Sequence, residues 1–185
     1  VQNNFPLKVK KLEIFQVNIG YMCNQVCDHC HVDAGPDRKE IMTKDTMKQC
    51  LEAIKKSGAH TVDITGGAPE MNPNFRWVIE ELTKIGVDDI IVRSNLTIIV
   101  ANKKYRNLPE FFKANNIHLI SSLPCYTSEN VDKQRGDGVF NDSIEALKML
   151  NRIGYGVGNS DLKLDLVFNP GGASLPGDQQ SLELD

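Results

Sequence analysis

Along these 185 residues, five short β-branched segments alternate with amphipathic segments of helical period, and this alternation limits the fold more than anything else in the sequence. Residues 12–19 alternate apolar and polar side chains with period two. Residues 61–65, 89–95, 118–123 and 162–168 read as four further strands. Between the first two, Thr43 suits an N-cap and Asp45 the first helical turn. Met47, Cys50, Leu51 and Ile54 share one face, and Gly58 closes the helix. A second helix opens at Asn72-Pro73 or Asn74, buries Phe75, Val78, Ile79 and Leu82, and ends at Gly86. A short helix over 108–115 carries Pro109 in its first turn. Asp142 is expected to cap a fourth, with Ile144, Leu147, Leu150 and Ile153 inward and Gly154 as its stop. Strand and helix in regular turn imply an α/β fold with a parallel sheet and right-handed crossovers, either an open sheet or an incomplete barrel. Both place ligands at the carboxyl ends of the strands.

Composition narrows the rest. With 41% apolar and 24% charged residues, the chain is long enough for one full core and short for two. A net charge of -3 and no basic stripe argue against an extensive nucleic-acid contact. No run of 18 apolar residues occurs, so no membrane span is expected, and a cytoplasmic setting is the default. Asn169-Pro170-Gly171-Gly172 breaks the last strand, 171–180 reads as loop, and no clear sixth strand follows. The chain is therefore expected to be the N-terminal part, residues 1–185, of a longer protein.

Chemistry concentrates where the first strand ends. Three of the five cysteines fall in Cys23-Asn-Gln-Val-Cys27-Asp-His-Cys30, a crowding that suits metal and not a disulfide framework. Three thiolates cap three irons of a [4Fe–4S] cluster and leave the fourth open, where a small molecule can bind. The rival is zinc with His29 or His31 as fourth ligand, although structural zinc motifs usually bring a second cysteine pair. Thr65-Gly66-Gly67-Ala68-Pro69-Glu70 follows the second strand. Its glycines permit close approach of backbone and ligand, and Glu70 offers a carboxylate; the plain alternative is a strand-to-helix turn.

The three-cysteine spacing after a first strand, in a chain of βα repeats, resembles the radical SAM superfamily. That resemblance implies a partial (βα)6 TIM-like barrel, here ending before the last strand. Its cofactors would be a [4Fe–4S] cluster on Cys23, Cys27 and Cys30 and S-adenosylmethionine (SAM), cleaved by one electron to methionine and a 5′-deoxyadenosyl radical. An electron donor such as flavodoxin or ferredoxin is implied as partner. His29 stands where the superfamily often has an aromatic residue. Gly66, Gly67 and Glu70 resemble the Gly-Gly-Glu motif that holds the methionyl amino group, with the acid displaced by two positions. Arg135 precedes Gly136 as in segments near the SAM carboxylate, with a solvated surface arginine as the alternative. Ser122, or its neighbour Ser121, ends the fourth strand where a ribose contact is common, and at most one of the two should point inward. Cys125 is a candidate redox or soft-atom ligand, or else a small core residue. Cys50 reads as core.

A narrower likeness lies in Asn18-Ile-Gly-Tyr-Met-Cys23, Cys30-His-Val-Asp-Ala-Gly-Pro36, Thr65-Gly-Gly-Ala-Pro-Glu70, Ser94-Asn-Leu-Thr97, Ser122-Leu-Pro-Cys-Tyr126 and Gln134-Arg-Gly-Asp-Gly-Val-Phe140. Together with Asn169-Pro-Gly-Gly172, these are similar to the arsenosugar-biosynthesis radical SAM family. The likeness implies a trivalent dimethylated arsenic substrate that receives the adenosyl group, with Cys125 near the arsenic. It also implies a cysteine-containing C-terminal region that these residues lack. The alternatives are a radical SAM enzyme acting on another small molecule or a peptide, and a non-catalytic zinc or iron–sulfur binding domain.

Overall fold

The computed structural model describes residues 10–168. Five parallel strands stand side by side in chain order: β1 Ile14–Asn18, β2 Thr61–Thr65, β3 Asp89–Ser94, β4 His118–Ser122 and β5 Leu164–Val167. The register aligns Asn18 with Thr65, Ile64 with Val92, Ser94 with Ser121, and Ser122 with Val167. Consecutive order, with no reversal, separates an incomplete barrel from a doubly wound sheet: every crossover then winds in one sense and lays its helix on one face. The sheet is not closed among the described residues.

The two faces differ sharply. Alternate residues Val17, Val62, Ile64, Ile90, Val92 and Leu119 point to the helices, and all are buried. They meet Met47, Leu51 and Ile54 of α1 (Lys44–Ser57), Phe75, Val78, Ile79 and Leu82 of α2 (Phe75–Ile85), and Leu150 in a single core. On the opposite face stand the polar residues Gln16, Asp63, Arg93, His118 and Asp165, with Ile91, Ile120 and Val167 among them. There Gln16 and Arg93 both bond to Asp63, and His118 lies 3.2 Å from Asp89 and 2.7 Å from Asp165.

Local chemistry explains the elements. Thr43 caps α1 by accepting the Thr46 N–H. After β3 come α3 (Ile98–Ala101) and α4 (Leu108–Ala114), and the rings of Phe75, Phe111 and Phe112 pack within 6.4 Å of one another. Cys50 is half-buried, with its sulfur 4.0 Å from that of Met42, so it packs against the core edge and does not sit inside it.

Two features differ from the sequence reading. A helix not anticipated there, α5 (Ser128–Arg135), precedes α6 (Val139–Arg152). Only Val131 and Arg135 of α5 are buried, so it has no apolar stripe to betray it. Asp142 does not cap α6. Asp132 of α5 does so from outside, accepting the N–H groups of Gly138 at 3.2 Å and Phe140 at 2.8 Å. The buried stripe of α6 is accordingly Val139, Ser143, Ala146 and Leu150, with Ile144, Leu147 and Ile153 only half-buried. The expected break at 169–172 lies outside the described residues.

Candidate active site

The cysteine loop leaves β1 and is tied down before it reaches α1. Gly20 bridges Ile41 and Met22 bridges Gly35, while Cys23 N–H donates to Gly35 O at 3.1 Å. From below, Gly67 N–H donates to Gly20 O at 3.0 Å and Ala68 N–H to Met22 O at 2.9 Å. The glycine pair owes its identity to this contact. A Cβ on Gly66, whose φ is +148°, would stand 2.5 Å from Gly20 O, and one on Gly67 would stand 2.6 Å from Met22 O and 3.0 Å from Cys23 Cβ. The glycines thus admit the cysteine loop itself, and both also face the cavity above it. Asn72 adds a staple, its amide donating to Ile19 O at 2.9 Å and Met42 O at 3.1 Å.

That cavity measures about 480 Å³ at the carboxyl end of the sheet, and Cys23, Cys27 and Cys30 all line it. Cys23 is buried and accepts from Asn95 Nδ2 at 3.5 Å; Cys30 Sγ accepts the Ala34 N–H at 3.3 Å. Desolvation pushes the Cys23 and Cys27 thiols up, and for Cys27 the neighbouring Arg135 guanidinium pulls the other way. Asn95 also donates to Asn24 Oδ1 at 2.7 Å and accepts the Ile98 N–H at 3.0 Å, so the end of β3 locks the loop. Leu96, fully buried, holds φ +63° in this turn, a left-handed conformation that costs a branched residue roughly 1–2 kcal/mol.

Arg135 closes the cavity from α5. It is 5% exposed, donating from Nη1 to Ser122 O at 2.9 Å and from Nη2 to Gln25 Oε1 at 2.7 Å. Its acceptors are neutral, and among the described residues no carboxylate pairs with it. Arg135 Nε and Gln25 Nε2 remain buried donors without partners. The adjoining Gln134 carbonyl accepts the Asp28 N–H at 3.2 Å, a second tie between α5 and the loop.

The other expected residues are placed unequally. Ser122 lines the cavity, whereas Ser121 is fully buried on the helix-facing side, its hydroxyl unpartnered. Glu70 does not reach the cavity wall. It is 6% exposed, both carboxylate oxygens lack partners, and burial raises its pKa to about 7. Ser94, which does line the cavity, lies beside it and acts in the opposite sense, without a hydrogen bond of good geometry. Cys125 is likewise off the wall, next to Pro124, which is on it. Burial pushes the Cys125 thiol up, but hydrogen bonds with Thr127 and Asn130 outweigh this and bring it below its ordinary value. The sequence reading missed Gln25, hidden in the Cys-x3-Cys spacer, and Arg93. A charge directly after the apolar run Ile90-Ile91-Val92, still within the strand, was the available signal for Arg93.

The geometry fits a multi-iron cluster. Three thiols open onto one cavity from separate points of one loop, beside unpartnered buried donors. A partial βα barrel with a three-thiol loop at its carboxyl rim defines a class: barrel proteins that carry their cofactor above β1. The sequence model of the Radical SAM superfamily matches residues 17–165, and the chain belongs to that superfamily. Its cofactors are accordingly a [4Fe–4S] cluster and SAM, and a closed zinc site is set aside.

Among curated proteins, one named "Probable GTP 3′,8-cyclase" from Saccharolobus solfataricus is 22% identical over 161 residues, covering 86% of this chain and 49% of that protein. One of the same name from Saccharolobus islandicus is 24% identical over the same length. The chain thus spans about half the length of these relatives. Among solved structures, Streptococcus suis SuiB bound to S-adenosylmethionine superposes with a TM-score of 0.70 at 16% identity, covering 94% of this chain and 37% of SuiB. The structure described as anSMEcpe with bound AdoMet gives 0.64 at 14% identity, over 86% of this chain and 43% of that one. At these identities the structures establish the fold. Among the described residues no helix is long and apolar enough to cross a membrane.

Proposed function

We propose that this chain is the catalytic core of an enzyme that binds a [4Fe–4S] cluster through Cys23, Cys27 and Cys30 and cleaves SAM reductively. The observation that carries this reading is the opening of all three thiols onto one cavity at the carboxyl rim of the barrel. When bound, the cluster supplies the electron that splits the sulfonium of SAM into methionine and a 5′-deoxyadenosyl radical. The residues do the rest. Gly66 and Gly67 seat the loop and present backbone to the methionyl amino group. Glu70 stands off the cavity wall beside Ser94, its carboxyl pushed up to about 7 by burial, and supports the amino-group site only indirectly. Arg135 Nε and Gln25 Nε2, buried and unpartnered, suit the SAM carboxylate, and Ser122 the ribose. An electron carrier such as flavodoxin or ferredoxin is the partner this chemistry requires, in a reducing cytoplasmic setting.

For the substrate, the reading is adenosyl transfer to a trivalent dimethylated arsenic compound. It is supported by the arsenosugar-type motifs that surround the cavity, among them Ser94-Asn-Leu-Thr97 and Ser122-Leu-Pro-Cys-Tyr126. Cys125, next to Pro124 of the cavity wall and with its thiol pKa lowered, is the soft-atom ligand this reading offers. The competing reading, cyclisation of a purine nucleotide, follows the names of the curated relatives. Anaerobic incubation of the full-length protein with reductant, SAM and dimethylarsinous acid separates them. A deoxyadenosyl–arsenic product supports the first, while free 5′-deoxyadenosine without an arsenic adduct sinks it and leaves SAM cleavage standing.

A further inference from the structure

Arg93 lines the same cavity as the three thiols but bonds to none of the residues that hold the loop. Its Nε donates to both oxygens of Asp63, at 3.0 and 3.1 Å, and its Nη2 to one of them at 2.9 Å. Asp63 is 4% exposed, and Gln16 Nε2 holds its carboxylate from the other side at 2.8 Å. A guanidinium has five N–H donors in a rigid plane, and this side-on pair occupies two of them. The three on the outer edge, two on Nη1 and one on Nη2, are left as a fixed fork. The Arg93 side chain is 43% exposed against 5% for Asp63, and it lines the cavity.

The arrangement has the properties of a recognition group. A buried acid clamps the guanidinium in one orientation, so a ligand binding the fork freezes little side-chain motion. Depth also fits: Arg93 precedes Asn95, the residue at the Cys23 thiol, by two strand positions, about 7 Å. The wall beside it is apolar, formed by Ile120, Val167 and Phe168. Because Asp63 neutralises Arg93, the site suits one oxyanion of low charge. The other guanidinium of the lining, Arg135, is buried and turned toward Gln25 and Ser122, so a triphosphate finds no cationic cluster here.

We infer that Arg93, backed by Asp63 and Gln16, is the substrate anchor of this cavity: its free fork takes an oxyanion, and Ile120, Val167 and Phe168 take the apolar part of the same molecule. Carboxylate, phosphate and arsenic-bound oxygen share the required geometry. The inference rests on the reading of this cavity as the reaction chamber, and not on the identity of the substrate. The test is calorimetric titration of the full-length, anaerobically reconstituted protein, in the presence of SAM, with acetate, inorganic phosphate and dimethylarsinate as separate probes. At least one probe should bind. Arg93→Gln should weaken it tenfold or more and Arg93→Lys by less, with iron content and SAM affinity unchanged. Because Arg93→Gln leaves a buried carboxylate unpaired, the double variant D63N/R93Q provides a neutral, folded control and should show the same loss. Equal binding by the variants, or binding of none of the three probes to a protein that holds cluster and SAM, overturns the anchor. A wild-type protein that holds neither cluster nor SAM overturns the chamber instead.

Discussion

The two faces of one sheet follow opposite rules. Toward the helices, Val62, Ile64, Val92 and Leu119 are at most 1% exposed and contribute through apolar burial. Toward the concave side, Gln16, Asp63, Arg93, His118 and Asp165 contribute through directed polar contacts. That second face also carries Arg93, Ile120 and Val167 of the cavity lining. Here it runs up to the thiol-lined cavity, so one side secures the fold and the other is left for chemistry.

The largest effect that sharpens this contrast belongs to the rim. Changing any one of Cys23, Cys27 or Cys30 to Ala should abolish stable cluster loading with little loss of secondary structure, measured as iron and sulfide per folded chain. Cys50→Ala, on the helix side, should load normally. Next, Phe112→Ala in the ring cluster should cost about 3–5 kcal/mol in chemical denaturation. Gln16→Ala on the concave face should cost about 1–2 kcal/mol, because Arg93 still holds the Asp63 carboxylate. A reversed order would break the comparison.

Glu70 gives a pH signature of intermediate size. Burial raises its folded-state pKa to about 7, against 4.5 for the free group. The folded chain therefore holds this proton more tightly than the unfolded one. Stability from this group is full below pH 4.5 and falls as the pH rises to about 7, by up to on the order of 3 kcal/mol. Glu70→Gln should flatten that part of the profile and stabilise the cluster-free protein at pH 8. An unchanged slope in urea denaturation across this window would remove Glu70 as its source.

Arg135 yields the smallest effect and the most diagnostic sign. It is a buried cation with neutral acceptors, and a cluster held by three thiolates brings negative charge to its side. Arg135→Gln should be neutral within about 1 kcal/mol, or stabilising, for the cluster-free protein. The same change should lower iron retention and SAM affinity in the loaded protein. Equal destabilisation of both forms would reduce Arg135 to a packing residue.

Much of this molecule was legible before any coordinates. Period-two alternation marked the first strand, β-branched runs marked the other four, and the three-cysteine loop marked the rim, because these signals are local. What stayed hidden depends on partners distant in sequence. The helix α5 has no apolar stripe, so nothing in 128–135 announced it, and with it went the capping of α6 by Asp132. Gly66 and Gly67 were legible as positions of close approach, but the object that approaches is the cysteine loop, 44 or more residues earlier (Cys23 to Gly67). Cys125 follows the cavity residue Pro124 and Glu70 lies three residues past Gly67, yet neither lines the cavity, and composition cannot report direction. Arg93 went unmarked, because only the pairing of β2 with β3 supplies the acid that gives it meaning.

The central claim is that three rim thiols leave one iron of a cubane open to SAM. Electron paramagnetic resonance of the anaerobically purified, reduced protein tests it, read with iron and sulfide analysis and with and without SAM. About four irons and four sulfides per chain, with a signal that shifts when SAM is added, is the predicted result. A colourless protein holding a single zinc, or a full cluster whose spectrum ignores SAM, would contradict it.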